Sequence, residues 1–211
     1  MLRLDRVSKR YGRKLILDRV EHDFTPGLTL LVGPSGAGKS TLLRLLATAE
    51  RPSGGAMAWD GHPLPSARQA LRRTLGYAPQ AVDLPDDLTA REFALHMAAL
   101  KGLEPAAADA QFLAITDAIG LHADVNNRIA TFSGGMRRRL IFAQALLGAP
   151  RLLTLDEPTA ELDRETADRV SALILERARD AIVIMTTHLS DALAPSAAAV
   201  LRVDDRRVIP A

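Results

Sequence analysis

Gly33-Pro34-Ser35-Gly36-Ala37-Gly38-Lys39-Ser40 is the stretch whose reading decides the fold. It fits the spacing G-x-x-x-x-G-K-[ST], and its flanks matter as much as the motif itself. The apolar run Leu28 to Val32 predicts a buried strand, and Lys39 to Thr48 predicts a helix with Leu42, Leu43, Leu45 and Leu46 inside. In a strand, glycine loop and helix, backbone N–H groups can wrap an anion. Glycines permit the tight path, successive N–H groups line it, and the helix N-terminus adds partial positive charge. Gly33 to Gly38 are therefore expected to cradle phosphate, with Lys39 reaching the β- and γ-phosphates and Ser40 ligating Mg²⁺. The loop alone does not separate an ATPase from a small nucleotide kinase of similar length.

A second element narrows the chemistry. Leu152-Leu153-Thr154-Leu155-Asp156-Glu157 is an apolar strand ending in two acids. In an open parallel sheet the C-terminal strand ends line the ligand crevice. Two carboxylates there are costly to desolvate unless a cation compensates. Asp156 is suited to holding Mg²⁺, directly or through water. Glu157 is then suited to orienting or deprotonating an attacking water.

Around these motifs the chain alternates strand and helix patterns. Leu2 to Val7, Val20 to Phe24, Ala56 to Trp59 and Leu75 to Ala78 are expected strands, punctuated by turn chemistry at Tyr11-Gly12, Thr25-Pro26-Gly27 and Asp60-Gly61. From Ala81 to Pro150 the texture is helical, with helices expected over Thr89 to Leu100, Glu104 to Ile119 and Ser133 to Leu147. After Pro150 the alternation returns. Arg164 to Arg179 is an amphipathic helix with Val170, Leu173 and Ile174 on one face. Ala181 to Met185 is apolar throughout, which predicts a strand buried on both sides. Ala199 to Val203 and Val208-Ile209 close the chain. The expected fold is α/β: a core of residues 1–80 and 151–211 with a helical subdomain inserted at about 81–150, all within one domain.

Composition sets limits. The 211 residues carry 27 Lys and Arg against 25 Asp and Glu, and a net charge of only +2 does not by itself make a nucleic-acid surface. There are no cysteines, which excludes disulfides, thiolate zinc sites and cysteine nucleophiles. His22, His62, His96, His122 and His188 show no ligand spacing. Apolar runs are short, far below the roughly 18 to 20 residues that cross a bilayer, and Met1 to Gly12 has no signal-peptide core. A soluble intracellular domain is expected, with any membrane-spanning part supplied by another chain.

Four further segments line up with the loop and the carboxylates: Gln80 after the strand Leu75 to Ala78, Phe132-Ser133-Gly134-Gly135-Met136, Leu162-Asp163, and His188 after the strand Ala181 to Met185. In order and spacing, over nearly the whole chain, the set resembles the nucleotide-binding domains of ABC transporters. The resemblance implies a P-loop NTPase with an ABC-type core, in which a mixed sheet is joined by N-terminal antiparallel strands and an inserted α-helical subdomain. It implies that Tyr11 stacks on adenine and that Gly33, Pro34, Ser35, Gly36, Ala37, Gly38, Lys39, Ser40 and Thr41 bind the ATP phosphates. Ser40, Gln80 and Asp156 surround Mg²⁺, with Gln80 also sensing the γ-phosphate. Ser133, Gly134 and Gly135 form a signature that contacts ATP across a dimer, which one compact domain could not easily do with its own loop. Glu157 becomes the catalytic carboxylate, Asp163 part of the loop linking two sites, and His188 the γ-phosphate switch.

The usual signature reads Leu-Ser-Gly-Gly-Gln. Here Phe132 and Met136 replace its flanks, and Glu161 stands where a small residue is common. The run Met-Arg-Arg-Arg-Leu resembles ATPases of bacterial export systems. Arg137, Arg138 and Arg139 are expected to bridge or solvate a face rather than bind nucleic acid. The implied activity is hydrolysis of ATP by a homodimer or heterodimer that energises a transmembrane permease, for export, from the inner face of the cell membrane. A soluble ABC ATPase uncoupled from transport is the alternative, and a nucleotide kinase a more distant one. The end at Ala211 is expected to leave no room for an appended regulatory domain.

Overall fold

Which side chains alternate along three strands explains the layering. In β3 (Gly27–Val32), Leu28 and Leu30 join one buried cluster and Leu31 the other. In β7 (Leu152–Asp156), Leu153 and Leu155 oppose Leu152, and in β8 (Ile182–Thr186), Val183 and Met185 oppose Ile182 and Ile184. Successive side chains of a strand point to opposite faces, so an all-apolar strand needs cover on both. The computed structural model describes residues 1–81, 83–187 and 193–211.

These strands belong to a six-stranded sheet of order β10-β9-β3-β8-β7-β6, completed by β6 (Leu75–Ala78), β9 (Ala199–Asp204) and β10 (Arg207–Pro210). All its neighbours pair in parallel except β9 with β10. A four-stranded antiparallel sheet, β2-β1-β4-β5, is formed by β1 (Leu2–Tyr11), β2 (Lys14–Phe24), β4 (Gly54–Trp59) and the short β5 (His62–Pro63). Between the two sheets lies α1 (Lys39–Leu46), whose Leu42, Leu43, Leu45 and Leu46 are all buried. Each such leucine contributes about 1.5 to 3 kcal/mol relative to exposure. The expected α/β core with a mixed sheet and N-terminal antiparallel strands is what the chain forms.

On the opposite face of the six-stranded sheet pack α3 (Ala90–Lys101), α4 (Pro105–Ala118), α5 (Gly134–Leu146) and α6 (Arg164–Ala178), with Phe112, Phe142, Val170 and Ile174 in their shared core. Their starts are encoded locally. Thr89 and Glu92 form a reciprocal capping box for α3, Ser133 caps α5 by accepting from the Met136 amide, and Asp163 caps α6 by accepting from the Thr166 amide. The three adjacent arginines of α5 each find an internal partner: Arg137 with Asp86, Arg138 with Glu161, and Arg139 with the Ile119 and Gly120 carbonyls. Of the three, Arg138 bridges to a residue outside the stretch 81–150, whereas the partners of Arg137 and Arg139 lie within it.

Two differences from the sequence reading have physical causes. A helix, α2 (Leu64–Arg73), fills a stretch whose pattern assigns no element, burying Leu64, Ala67 and Leu71 against α1 and the antiparallel sheet. Strands β1 and β2 run well past the expected Leu2 to Val7 and Val20 to Phe24. Irregular registers between Leu4 and Arg10, with left-handed backbone at Arg6 and Arg19, break their alternation. Among the described residues, no helix is long and apolar enough to cross a membrane.

Candidate nucleotide site

The sheet order brings the expected residues to one edge. β3, β8, β7 and β6 are adjacent and parallel, so the segments leaving their C-terminal ends emerge on the same side. After β3 comes the loop Gly33 to Gly38, after β7 Glu157, and after β6 Gln80. His188, which comes after β8, lies outside the described residues.

The loop is held by contacts that its glycines make possible. Gly33 has φ +139°, and a Cβ there would fall 2.2 Å from the backbone oxygen of Val203 in β9. No other residue fits that approach. Gly38, at φ +108°, turns the chain into α1 as its N-cap. The Lys39 ammonium donates to the Gly33 and Pro34 carbonyls at 2.7 and 3.0 Å, spanning the loop's first turn. Pro34, Ser35 and Gly36 are exposed, Ala37, Lys39 and Ser40 half-buried, and Thr41 buried.

The two carboxylates are set by one hydroxyl that sequence reasoning does not find. Thr186 Oγ1 donates to Asp156 Oδ1 at 2.6 Å and accepts from the Glu157 amide at 2.9 Å. Asp156 is 7% exposed, and its side-chain partner among the described residues is this neutral hydroxyl. A buried carboxylate with a neutral partner is a donor set suited to a divalent cation. Glu157 sits at φ +52°, a left-handed backbone that costs a non-glycine residue about 1 to 2 kcal/mol. There its carboxylate accepts from Gln80 Nε2 at 3.0 Å. Nearby, Tyr77 of β6 is half-buried. Burial, and then the charge of Asp156, push its phenol above the usual value, against the opposing pull of Arg44. The signal that points to Thr186 is its place, the first polar residue after four apolar ones in β8.

Tyr11 lies at the end of β1, 42% exposed, and connects to α1 through Arg44, which donates to Tyr11 Oη at 3.3 Å and to Thr41 Oγ1 at 3.2 Å. Ser133 to Gly135 are elsewhere. Among the described residues outside this helix's own backbone, those within 4 Å of where a Cβ would lie on Gly134 or Gly135 are Glu161 and Leu162, not the phosphate loop. Glu161 adopts φ +61° and reaches Arg138 at 2.8 Å, placing its carboxylate beside the start of α5. Asp163 is spent on capping α6, and the bonds from Thr166 hold its carboxyl below the usual range.

Comparison with known proteins agrees with this geometry. The Nod factor export ATP-binding protein I of Burkholderia pseudomallei (strain 1710b) is 36% identical over 190 residues, spanning 88% of this chain and 62% of that protein. The chain thus spans less than two thirds of the length of that relative. Among solved structures, an ATP binding subunit of an ABC transporter superposes with TM-score 0.87 at 25% identity, covering 99% of this chain and 88% of the other. A dimeric bacterial ABC transporter cassette superposes with TM-score 0.89 at 24% identity, covering 99% and 96%. A family profile described as ABC transporter matches residues 17–160, well over half of the chain and a span that includes the phosphate loop, the signature and both strand-end carboxylates. The chain belongs to the ABC transporter family.

Proposed function

We infer that the chain is an ATP-binding and ATP-hydrolysing subunit that energises a separate transmembrane permease. The observation that carries this reading is the convergence of the loop 33–40, Gln80, Asp156 and Glu157 at the C-terminal ends of adjacent parallel strands, with Gln80 bonded to Glu157. The backbone of Gly33 to Gly38 and the side chains of Lys39, Ser40 and Thr41 hold the phosphates. Ser40, Asp156 and Gln80 are the residues that would hold Mg²⁺, which when bound neutralises phosphate charge. Glu157 accepts a proton from, or orients, the attacking water. Gln80 keeps Glu157 in register with the nucleotide, and His188 reads the γ-phosphate. Tyr11 stacks on the base.

Ser133, Gly134 and Gly135 form a helix start whose near neighbours, among the described residues, are Glu161 and Leu162 rather than the phosphate loop, which supports a head-to-tail pair of chains, each completing the other's site. Closure on ATP and opening after hydrolysis then drive the permease. The chain is one such domain, with residues of about 81–150 as its helical subdomain, held at the inner face of the membrane by the permease. Export is the direction supported by the relative's name and by the Met136 to Leu140 run.

The test is ATP turnover by the purified chain and by Lys39→Ala. The variant should lose nearly all binding or turnover, since the phosphates would lose their bridging cation. A Lys39→Ala protein with wild-type rates would refute the assignment.

A further inference from the structure

Tyr11 is gripped more firmly than a hairpin turn requires. Its hydroxyl donates to the Glu50 carboxylate, with oxygens at 2.8 and 2.7 Å. The same carboxylate pairs with the Lys9 ammonium at 2.7 Å and the Arg44 guanidinium at 2.8 Å. The Lys9 ammonium also lies over the ring, 5.0 Å from its centroid. The side chains of Lys9 and Glu50 are 12% and 24% exposed, yet Tyr11 as a whole is 42% exposed. The polar end is therefore enclosed while much of the ring is open to solvent. Burial pushes the Glu50 carboxyl up, but hydrogen bonds from Lys9 and Tyr11, with the charges of Lys9 and Arg44, hold it below the usual range. Glu50 is an anion at neutral pH, and it ties β1 to the segment after α1.

We propose that Glu50 is a positioning residue for base recognition: through the Tyr11 hydroxyl, and braced by Lys9 and Arg44, it fixes the ring plane on which the nucleotide base stacks and locks that plane to the phosphate-loop helix. The proposal rests on the nucleotide reading above. An untethered tyrosine at the end of a hairpin samples several rotamers, and ordering it on binding costs about 0.5 to 1.5 kcal/mol, or roughly 2- to 10-fold in affinity. Ordering the ring in advance removes that cost. With Lys9 attracted to one face, the opposite face is left for the base. The second link, from Arg44 to Thr41, sets the distance between base and phosphate platforms, so the site measures a whole nucleotide rather than its phosphates alone.

The experiment compares binding of Mg·ATP and of inorganic tripolyphosphate, which has no base, to the full chain by titration calorimetry. Tyr11→Phe keeps the ring and removes only the hydroxyl. Glu50→Gln keeps the size and removes the charge. Each should weaken ATP binding by roughly 2- to 10-fold and leave tripolyphosphate binding within error. The KM for ATP should rise by more than kcat falls. The double variant should be no weaker than the weaker single, because both break one tie. Equal loss of ATP and tripolyphosphate binding, or unchanged ATP binding by the folded Tyr11→Phe protein, would overturn the proposal. Lys39→Ala is run beside them. If ATP binding survives in it, the nucleotide reading itself fails. If binding is lost there but unaltered by Tyr11→Phe and Glu50→Gln, only the positioning role fails.

Discussion

The side-chain amide of Gln80 donates to the carboxylate of Glu157 across 3.0 Å, joining the segment after β6 to the segment after β7. A glutamine at position 157 could still accept that bond, so Glu157→Gln alters the chemistry with little change of shape. Hydrolysis should slow by roughly 10² to 10⁴, the usual worth of a positioned base, equal to about 3 to 5.5 kcal/mol of barrier. ATP binding should persist, and an ATP-dependent dimer should accumulate on size-exclusion chromatography. A variant hydrolysing at the wild-type rate would remove Glu157 from the mechanism.

Thr186→Val keeps the volume of the residue but leaves buried Asp156 and the Glu157 amide without their shared hydroxyl. Loss of partners by buried polar groups costs about 1 to 3 kcal/mol each. Urea unfolding should show a drop of that order, and turnover should fall as well. Thr186→Ser should recover most of both. Equal behaviour of the Ser and Val variants would mean that packing, not the hydroxyl, matters at this strand end.

The separation of Ser133 to Gly135 from the phosphate loop leads to a mixing experiment. Lys39→Ala breaks one half of a site and Ser133→Arg the other, and each alone gives two dead sites in a two-fold dimer. In a mixed dimer one site joins intact Lys39 to intact Ser133. Random pairing makes about half the dimers mixed, so about a quarter of wild-type activity is the ceiling for independent sites. Normal activity in both single variants would refute a site shared between chains.

Lys101 closes α3, where burial lowers its pKa to about 8 and its ammonium donates to the Leu147 carbonyl at 2.8 Å. The unfolded chain, with the ordinary value of 10.5, holds this proton through a window in which the folded chain has released it. The Lys101 contribution to stability is thus present in full above 10.5 and is lost as pH falls through about 8. The stability advantage of Lys101→Met over wild type should therefore shrink between about pH 7.5 and about pH 10, by at most about 3 kcal/mol. Parallel unfolding curves for the two proteins across that range would show that Lys101 titrates normally.

How much of the molecule is legible in its sequence depends on how local each signal is. The loop 33–40 and the strand 152–156 are contiguous, so their spacing carries both the chemistry and the element. The apolar strand Ala181 to Met185 declares its own burial. The helix α2 escapes because Pro63, Pro65 and Ser66 look like turn residues, although Pro within the first helical turn is compatible with a start. Thr186 and Glu50 escape for another reason. Their partners lie 30 and 39 positions away, at Asp156 and Tyr11, and no pattern within a window joins them. Glu161 stands out as an unusual residue in the sequence, but its left-handed backbone and its place beside Gly134 belong to the folded chain alone.

The contact of Gly33 with the Val203 carbonyl has a bearing on biosynthesis. The residue that opens the phosphate loop is translated 170 positions before Val203, in the strand against which it is shaped. Until β9 has emerged and paired with β3, the loop has its own contacts, such as those of Lys39 with the Gly33 and Pro34 carbonyls, but not the neighbour that excludes a side chain at Gly33. A nascent chain halted before Val203 can carry every phosphate-binding side chain and still lack the cradle. Nucleotide should then bind the finished fold more tightly than such an intermediate, and the stabilisation it gives by mass action should be greatest once β9 is in place.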